Sequence, residues 1–235
     1  MTQPRTGFRA GLDSVLLGAS INPHSLDLLD LGAGVGTASL VALTHNPQAR
    51  AVLLDHNADM GTLAEENAAT AGMTGRMTFI ALDVLAKGAE RKAAGLATDH
   101  FTSVIANPPF FDDAAGTLAA DAGRATARHM SAQALDLWVK TAAASAAPGG
   151  EIIFIYPVQS LSPLLAAFEQ RFGAITIMPL SPRPDEPASR ILIRAIKGSR
   201  APLTMLASRA LHGAEGRSFA PQFDAIFRGE ARLGW

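Results

Sequence analysis

Leu26-Asp27-Leu28-Leu29-Asp30-Leu31 runs directly into Gly32-Ala33-Gly34-Val35-Gly36. A short, mostly apolar run stopped by glycines is a core strand, and the alanine-rich stretch from Val35 to Thr44, with Pro47 beyond it, is a helix. Strand, glycine turn and helix together open a parallel sheet wrapped by helices. The pattern then repeats. Ala49 to Leu54 is a second strand ending on Asp55, and Asn57 caps a helix to Ala71 that Gly72 closes. Met77 to Leu82 is a third strand ending at Asp83, and Phe101 to Ala106 a fourth ending at Asn107. Leu85 to Leu96 between them is amphipathic and is expected to be helical.

Asp112 to Arg128 is small, polar and without period, which predicts a loop or a loose helix. Ser131 caps a helix through Ala146, ended by Pro148-Gly149-Gly150, and Glu151 to Tyr156 is a fifth strand. A helix from Ser160 or Ser162 reaches Phe172. Ala174 to Leu180 and Arg190 to Ile196 are two further strands, separated by a turn-rich segment too short for a helical crossover. They must therefore pair antiparallel. The expectation is an α/β fold: a doubly wound, mostly parallel seven-stranded sheet with an antiparallel C-terminal hairpin. It fills one domain over residues 1–235, with a tail after Lys197 that carries a weak helix at Pro221 to Phe227 and no second core.

Composition narrows the function. The apolar share of 48% and charged share of 17% exclude global disorder. The absence of cysteine removes disulfides, thiolate catalysis, iron–sulfur clusters and Cys-based zinc sites. The six histidines are scattered, with no i,i+4 pair, and no metal site is expected. No apolar run reaches the roughly 18 residues of a membrane span, and the first residues lack a signal core. A cytoplasmic protein without membrane contact is expected. The net charge of −1 excludes a uniformly basic surface. That sum hides an asymmetry: residues 1–170 hold ten Lys/Arg against sixteen Asp/Glu, and residues 171–235 hold ten against five.

The glycine loop offers a bent backbone and a helix N-terminus to a ligand. Its spacing is Gly-x-Gly-x-Gly, and Thr37 stands where a dinucleotide fingerprint has its third glycine. Asp30 precedes the loop by two residues. Its carboxylate repels a pyrophosphate and suits an ammonium or a sulfonium, and S-adenosylmethionine carries both. Gly32, Gly34 and Gly36 are thus candidates for its cradle, with Asp55 for the ribose hydroxyls and Asp83 for the adenine amino group. The plainer alternative is a glycine turn that only packs strand on helix. Three successive strand ends bearing Asp at one sheet edge weigh against it.

Asn107-Pro108-Pro109-Phe110, followed by Phe111, is the most informative segment. Two prolines fix φ and donate nothing, so the polar groups left are acceptors: the Asn107 amide oxygen and the Pro108 carbonyl. Converging acceptors suit a substrate –NH₂, whose lone pair they draw out of conjugation. Phe110 offers a face for a planar group. Asn107, Pro108 and Phe110 are the candidate catalytic residues, and a proline-stiffened turn is the plainer alternative.

Together these motifs resemble the Rossmann-like, class I S-adenosylmethionine-dependent amino-methyltransferases with an [Asp/Asn]-Pro-Pro-[Tyr/Phe] signature. Gly7-Phe8-Arg9-Ala10-Gly11-Leu12-Asp13-Ser14-Val15-Leu16-Leu17-Gly18 is similar to the opening motif of the bacterial valine-tRNA adenine-N6 methyltransferase family. The similarity covers about Gln3 to Ile196. It implies that residues 1–25 help close the methionine end of the cofactor site, with Phe8, Arg9 and Asp13 as candidates. Asp55 departs from the Glu that many relatives carry, and Phe110 from the Tyr common in tRNA-modifying members.

An adenine in tRNA must leave its stack to reach the tetrad. Asp112 to His129 is placed to shape that entrance, with Phe110, Phe111, Arg124 and Arg128 as candidate substrate contacts; solvated loop charges are the equal alternative for Arg124, Arg128 and His129. The basic tail, with Arg183, Arg190, Arg194, Lys197, Arg200, Arg209 and Arg217, is available for phosphate. Ordinary exposed positions on a strand are the alternative for those on Arg190–Ile196. Three functions follow in order: methylation of the adenine N6 amino group in tRNA, methylation of a protein glutamine at N5, and RNA binding with a vestigial cofactor pocket. A nicotinamide oxidoreductase is disfavoured by the loop spacing and by the lack of Tyr-x-x-x-Lys, the only tyrosine being Tyr156.

Overall fold

The computed structural model describes residues 1–3, 11–109 and 131–235. Its first helix, α1 (Leu12–Ala19), precedes three strand–helix units: β1 (Asp27–Leu31) with α2 (Thr37–His45), β2 (Arg50–Asp55) with α3 (Ala58–Thr70), and β3 (Met77–Ala81) with α4 (Gly88–Ala93). Then come β4 (Phe101–Ala106), α5 (Ala132–Ser145), β5 (Ala146–Pro157), α6 (Leu161–Glu169), β6 (Phe172–Ser181) and β7 (Arg190–Lys197). The C-terminal part adds β8 (Thr204–Met205), β9 (Arg209–Ala210) and α7 (Pro221–Phe227).

The strands form one sheet in the order β3-β2-β1-β4-β5-β7-β6, with β8 and β9 on the outer side of β6. All neighbours pair parallel except β7, which runs antiparallel to both β5 and β6. The expected seven strands and the antiparallel hairpin are present. Among the described residues the count of seven is corrected to nine, because two-residue strands leave no periodic trace in a sequence.

Alternation along β1 shows how the sheet is buried. Leu29 and Leu31 face a cluster with Trp138 of α5 and Phe168 of α6. Leu28 faces the opposite cluster, with Leu16 and Leu17 of α1, Ala42 of α2 and Ala64 of α3. Each wholly buried leucine or isoleucine on these faces contributes roughly 1.5–3 kcal/mol. Phe223, Ile226 and Leu233 are buried in that second cluster too. The tail after Lys197 thus contributes side chains to the core beneath α1.

Local signals account for most element ends. Asn57 Oδ1 accepts from Asp59 N at 3.0 Å and Ser131 Oγ from Ala134 N at 3.1 Å, as N-caps do. Gly72 closes α3 with φ of +69°. Several bounds differ from expectation: the helix expected to reach Phe172 ends at Glu169, and Phe172 starts β6. The helix over 85–96 contracts to α4, between Gly88 and a Gly95 with φ of +85°. Pro148-Gly149-Gly150 does not stop α5, which ends at Ser145; those residues fall within β5, where the register beside β4 shifts.

Parallel strands bring all their carboxyl ends to one edge. The chain leaves β1 towards β2 on one side, while β4 lies on the other. This topological switch point opens a crevice between the ends of β1 and β4. The glycine loop follows β1 and the Asn-Pro-Pro segment follows β4, so they face each other there.

Candidate active site

The turn after β1 is held by Gly32 N and Ala33 N, which donate to Leu54 O at 2.7 and 3.1 Å. Gly32, Gly34 and Gly36 have φ of +67°, +52° and +81°, a region that favours glycine. They differ in what surrounds them. A Cβ on Gly32 would stand 2.5 Å from Trp138 Cη2, and one on Gly36 2.8 Å from Leu53 Cδ2. Among the described residues, a Cβ on Gly34 would meet nothing within 4 Å. Two glycines are needed for packing, and Gly34 faces open space at the crevice.

Asp30 is 3% exposed, and its Oδ2 accepts from Ser39 Oγ on α2 at 2.8 Å. Burial pushes its carboxyl up to about 7, opposed by hydrogen bonds from the Ser39 hydroxyl and backbone and reinforced by the charge of Asp55. None of the groups that move it is a cation. A buried carboxylate in this state favours a positively charged ligand. Asp55, at the end of β2, is also buried; its Oδ2 accepts from Gly34 N at 3.0 Å and its Oδ1 from Asn57 N at 2.9 Å. These bonds tie the second acid to the loop that the first acid precedes.

Asp83 lies beyond the end of β3 and is exposed, with Oδ1 accepting from Leu85 N at 2.8 Å. Asp13, in the first turn of α1, pairs with Arg190 Nε of β7 at 3.0 Å. Phe8, Arg9, Phe110, Phe111, Arg124, Arg128 and His129 lie outside the described residues. Asp30, Gly32, Gly34, Gly36, Asp55, Asn107 and Pro108 are brought together at the switch-point edge; Asp83 lies exposed beyond β3, at the far side of that edge.

Asn107 is half-buried, Pro108 buried and Pro109 exposed. The hydroxyl of Tyr156, near the end of β5, donates to the Pro109 carbonyl at 3.3 Å. The Tyr156 side chain is buried, which pushes its phenol up to about 12, so it stays a donor at any physiological pH. Ser39, Trp138 and Tyr156 are contributors that motif reading passed over. Tyr156 had a signal in its position at a strand end; Ser39 and Trp138 had only their inward place on a helix.

Several cations expected to be available for phosphate are engaged within the chain. Arg183 donates to the carbonyls of Gly213, Ala214 and Gly216. Arg194 pairs with buried Glu151 at 2.9 Å, Lys197 binds Asp99 and the carbonyls of Ala143 and Ala146, and Arg209 binds Gly234 O. The basic excess of the last 65 residues is thus largely a device for stitching the tail. Among the described residues no helix is long and apolar enough to cross a membrane, and no group of three His, Asp or Glu is placed to hold a metal.

The crevice fits S-adenosylmethionine: among the described residues there is open space over Gly34, a buried carboxylate that no cation stabilises, and an acceptor carboxylate one strand away. Comparison with known proteins agrees. The profile of the methyltransferase small domain family matches residues 12–178. A Vibrio vulnificus protein named tRNA1(Val) (adenine(37)-N6)-methyltransferase is 29% identical over 189 residues, 80% of this chain and 75% of that one. A Shewanella loihica protein of the same name is 31% identical over 173 residues, 72% of this chain and 69% of that one. The crystal structure of a predicted O-methyltransferase from Agrobacterium tumefaciens is 30% identical, with a TM-score of 0.79 over 95% of this chain and 99% of that one. The chain therefore belongs to the methyltransferase small domain family and is an S-adenosylmethionine-dependent methyltransferase.

Proposed function

We propose that this enzyme methylates the exocyclic N6 amino group of an adenine in tRNA, as a single cytoplasmic methyltransferase domain. The observation that carries this reading is the chemistry of the segment after β4: acceptors at Asn107 and Pro108, with no titratable group in residues 107–109. A hydroxyl or carbon nucleophile needs a base to lose its proton before attack. An amino group needs only acceptors. Asn107 Oδ1 and the Pro108 carbonyl each take one N–H of the substrate, localising the nitrogen lone pair towards the crevice.

S-adenosylmethionine supplies an electrophilic methyl on a cationic sulfur. In this reading Asp30 offsets the positive charge of the methionine end, Asp55 accepts from the ribose hydroxyls and Asp83 takes part at the adenine side. The new N–C bond replaces the S–C bond, and the surplus proton on nitrogen passes to water. Phe110 and Phe111 stack on the flipped base, Arg124 and Arg128 meet phosphates, and the first 25 residues, through Phe8, Arg9 and Asp13, close the methionine end. The names of the Vibrio and Shewanella relatives support tRNA as the substrate.

The test is nucleoside mass spectrometry of tRNA from cells lacking the protein, with transfer of labelled methyl to unmodified transcripts by the purified chain. Loss of N6-methyladenosine in the cells and transfer in the tube are expected. Asn107→Ala should abolish transfer while leaving cofactor affinity nearly unchanged. Unaltered tRNA with methyl appearing on a protein glutamine would instead select the amide –NH₂ that the same acceptors also fit.

A further inference from the structure

The two prolines leave the segment after β4 poorly tied to the sheet. Neither has an N–H, and the ladder between β4 and β5 ends at Ala106 and Phe154. Among the described residues, the hydrogen bond that reaches residues 107–109 is the one from Tyr156 Oη to the Pro109 carbonyl, 3.3 Å long. Proline has already fixed φ at Pro109, so the direction of this carbonyl sets ψ, the one soft torsion left there. The same bond has a second consequence. Residues 107–109 carry four oxygen acceptors, Asn107 Oδ1 and three main-chain carbonyls, while an amino group has two hydrogens to give. The phenol occupies the Pro109 carbonyl.

We propose that Tyr156 is a positioning residue for methyl transfer: by donating to the Pro109 carbonyl it fixes the Asn-Pro-Pro segment, so that Asn107 Oδ1 and the Pro108 carbonyl converge on one amino group. This rests on the reading of the substrate as an amine. Tyr156 does not touch the reacting atoms. Its ring lies in the core beside β7, and the removal of one hydroxyl leaves that packing in place.

The test compares the wild-type chain with Tyr156→Phe. The expected outcome is a fall in kcat of roughly tenfold or more, with KM for the tRNA transcript and Kd for S-adenosylhomocysteine changed less than about twofold. A readout independent of any acceptor substrate comes from sinefungin, whose ammonium stands where the transferred methyl would stand. Its affinity advantage over S-adenosylhomocysteine should shrink severalfold in Tyr156→Phe. Tyr156 is the only tyrosine in the chain, so biosynthetic replacement of tyrosine by 3-fluorotyrosine alters this phenol alone. That protein keeps a donor and should retain both the rate and the sinefungin advantage. An unchanged sinefungin advantage in Tyr156→Phe overturns the proposal, as does an unchanged kcat on an unmodified transcript that the wild-type chain methylates. If the wild-type chain transfers nothing to tRNA while the sinefungin advantage still depends on Tyr156, the tRNA reading fails and the positioning role stands.

Discussion

Asp30 and Ser39 share a 2.8 Å hydrogen bond in which neither side chain is exposed: the carboxylate at 3%, the serine at 0%. The bond joins the end of the core strand β1 to the helix that the glycine loop starts. It partly compensates a carboxylate that burial holds far from its usual range.

A pH dependence follows. Asp30 titrates near 3.8 when unfolded and near 7 when folded, so between those values the folded chain holds the extra proton. Its contribution to stability is full below the unfolded value, is lost as pH rises towards about 7, and is constant beyond. The ligand-free Asp30→Asn variant should therefore gain thermal stability over wild type progressively from pH 4 to 7, with no further gain at pH 8. Calorimetric Tm values across that range check it. Asp30→Asn should at the same time bind S-adenosylmethionine more weakly at pH 8.

Asp55→Ala removes the acceptor of Gly34 N and Asn57 N as well as the proposed ribose contact. A charged hydrogen-bond acceptor lost from such a site costs roughly 2–3 kcal/mol, or a Kd raised about 30- to 150-fold. Titration calorimetry with S-adenosylmethionine measures it, and an unchanged Kd would remove Asp55 from the cofactor site.

The glycines should separate folding from binding. Gly34→Ala carries a left-handed backbone cost of roughly 1–2 kcal/mol but meets no neighbour among the described residues. It should fold and bind cofactor at least tenfold more weakly. Gly32→Ala drives a methyl into Trp138 and should lose stability first. Urea unfolding midpoints beside cofactor Kd values distinguish the two.

At the opposite edge of the sheet, Glu151 is 3% exposed and holds Ser103 Oγ, Asn22 N and Arg194. Arg194→Met leaves that carboxylate buried without its cation, at a cost of roughly 3–5 kcal/mol. The expected drop in Tm is on the order of 10 °C. Glu151→Gln added to Arg194→Met should recover part of it.

Much of this was legible in the sequence because strand ends and glycine turns are local. The Asp30–Gly36 segment gives the loop, Asp55 the second acid and Asn107–Pro109 the facing acceptors without reference to distant residues. The features that were not legible depend on contacts far along the chain. Arg194 has the appearance of an exposed strand cation until Glu151, 43 residues earlier, is placed beside it. Asp13 has a partner that its motif does not announce, Arg190 of β7, 177 residues further along the chain. The tail is rich in glycine and arginine, and its buried apolar pair at helical spacing, Phe223 and Ile226, does not say which distant helix it packs against.

The pairing of β1 with β4, Leu31 beside Ala106, closes a long stretch of chain, whereas β6 and β7 meet across a short turn. Loop-closure entropy makes long-range pairing the slower event in folding. The crevice between the two motifs exists only once that pairing is made, so the cofactor has no half-built site to bind. Ligand added during refolding should therefore leave the early rate alone and act only on the last phase, by trapping the finished sheet.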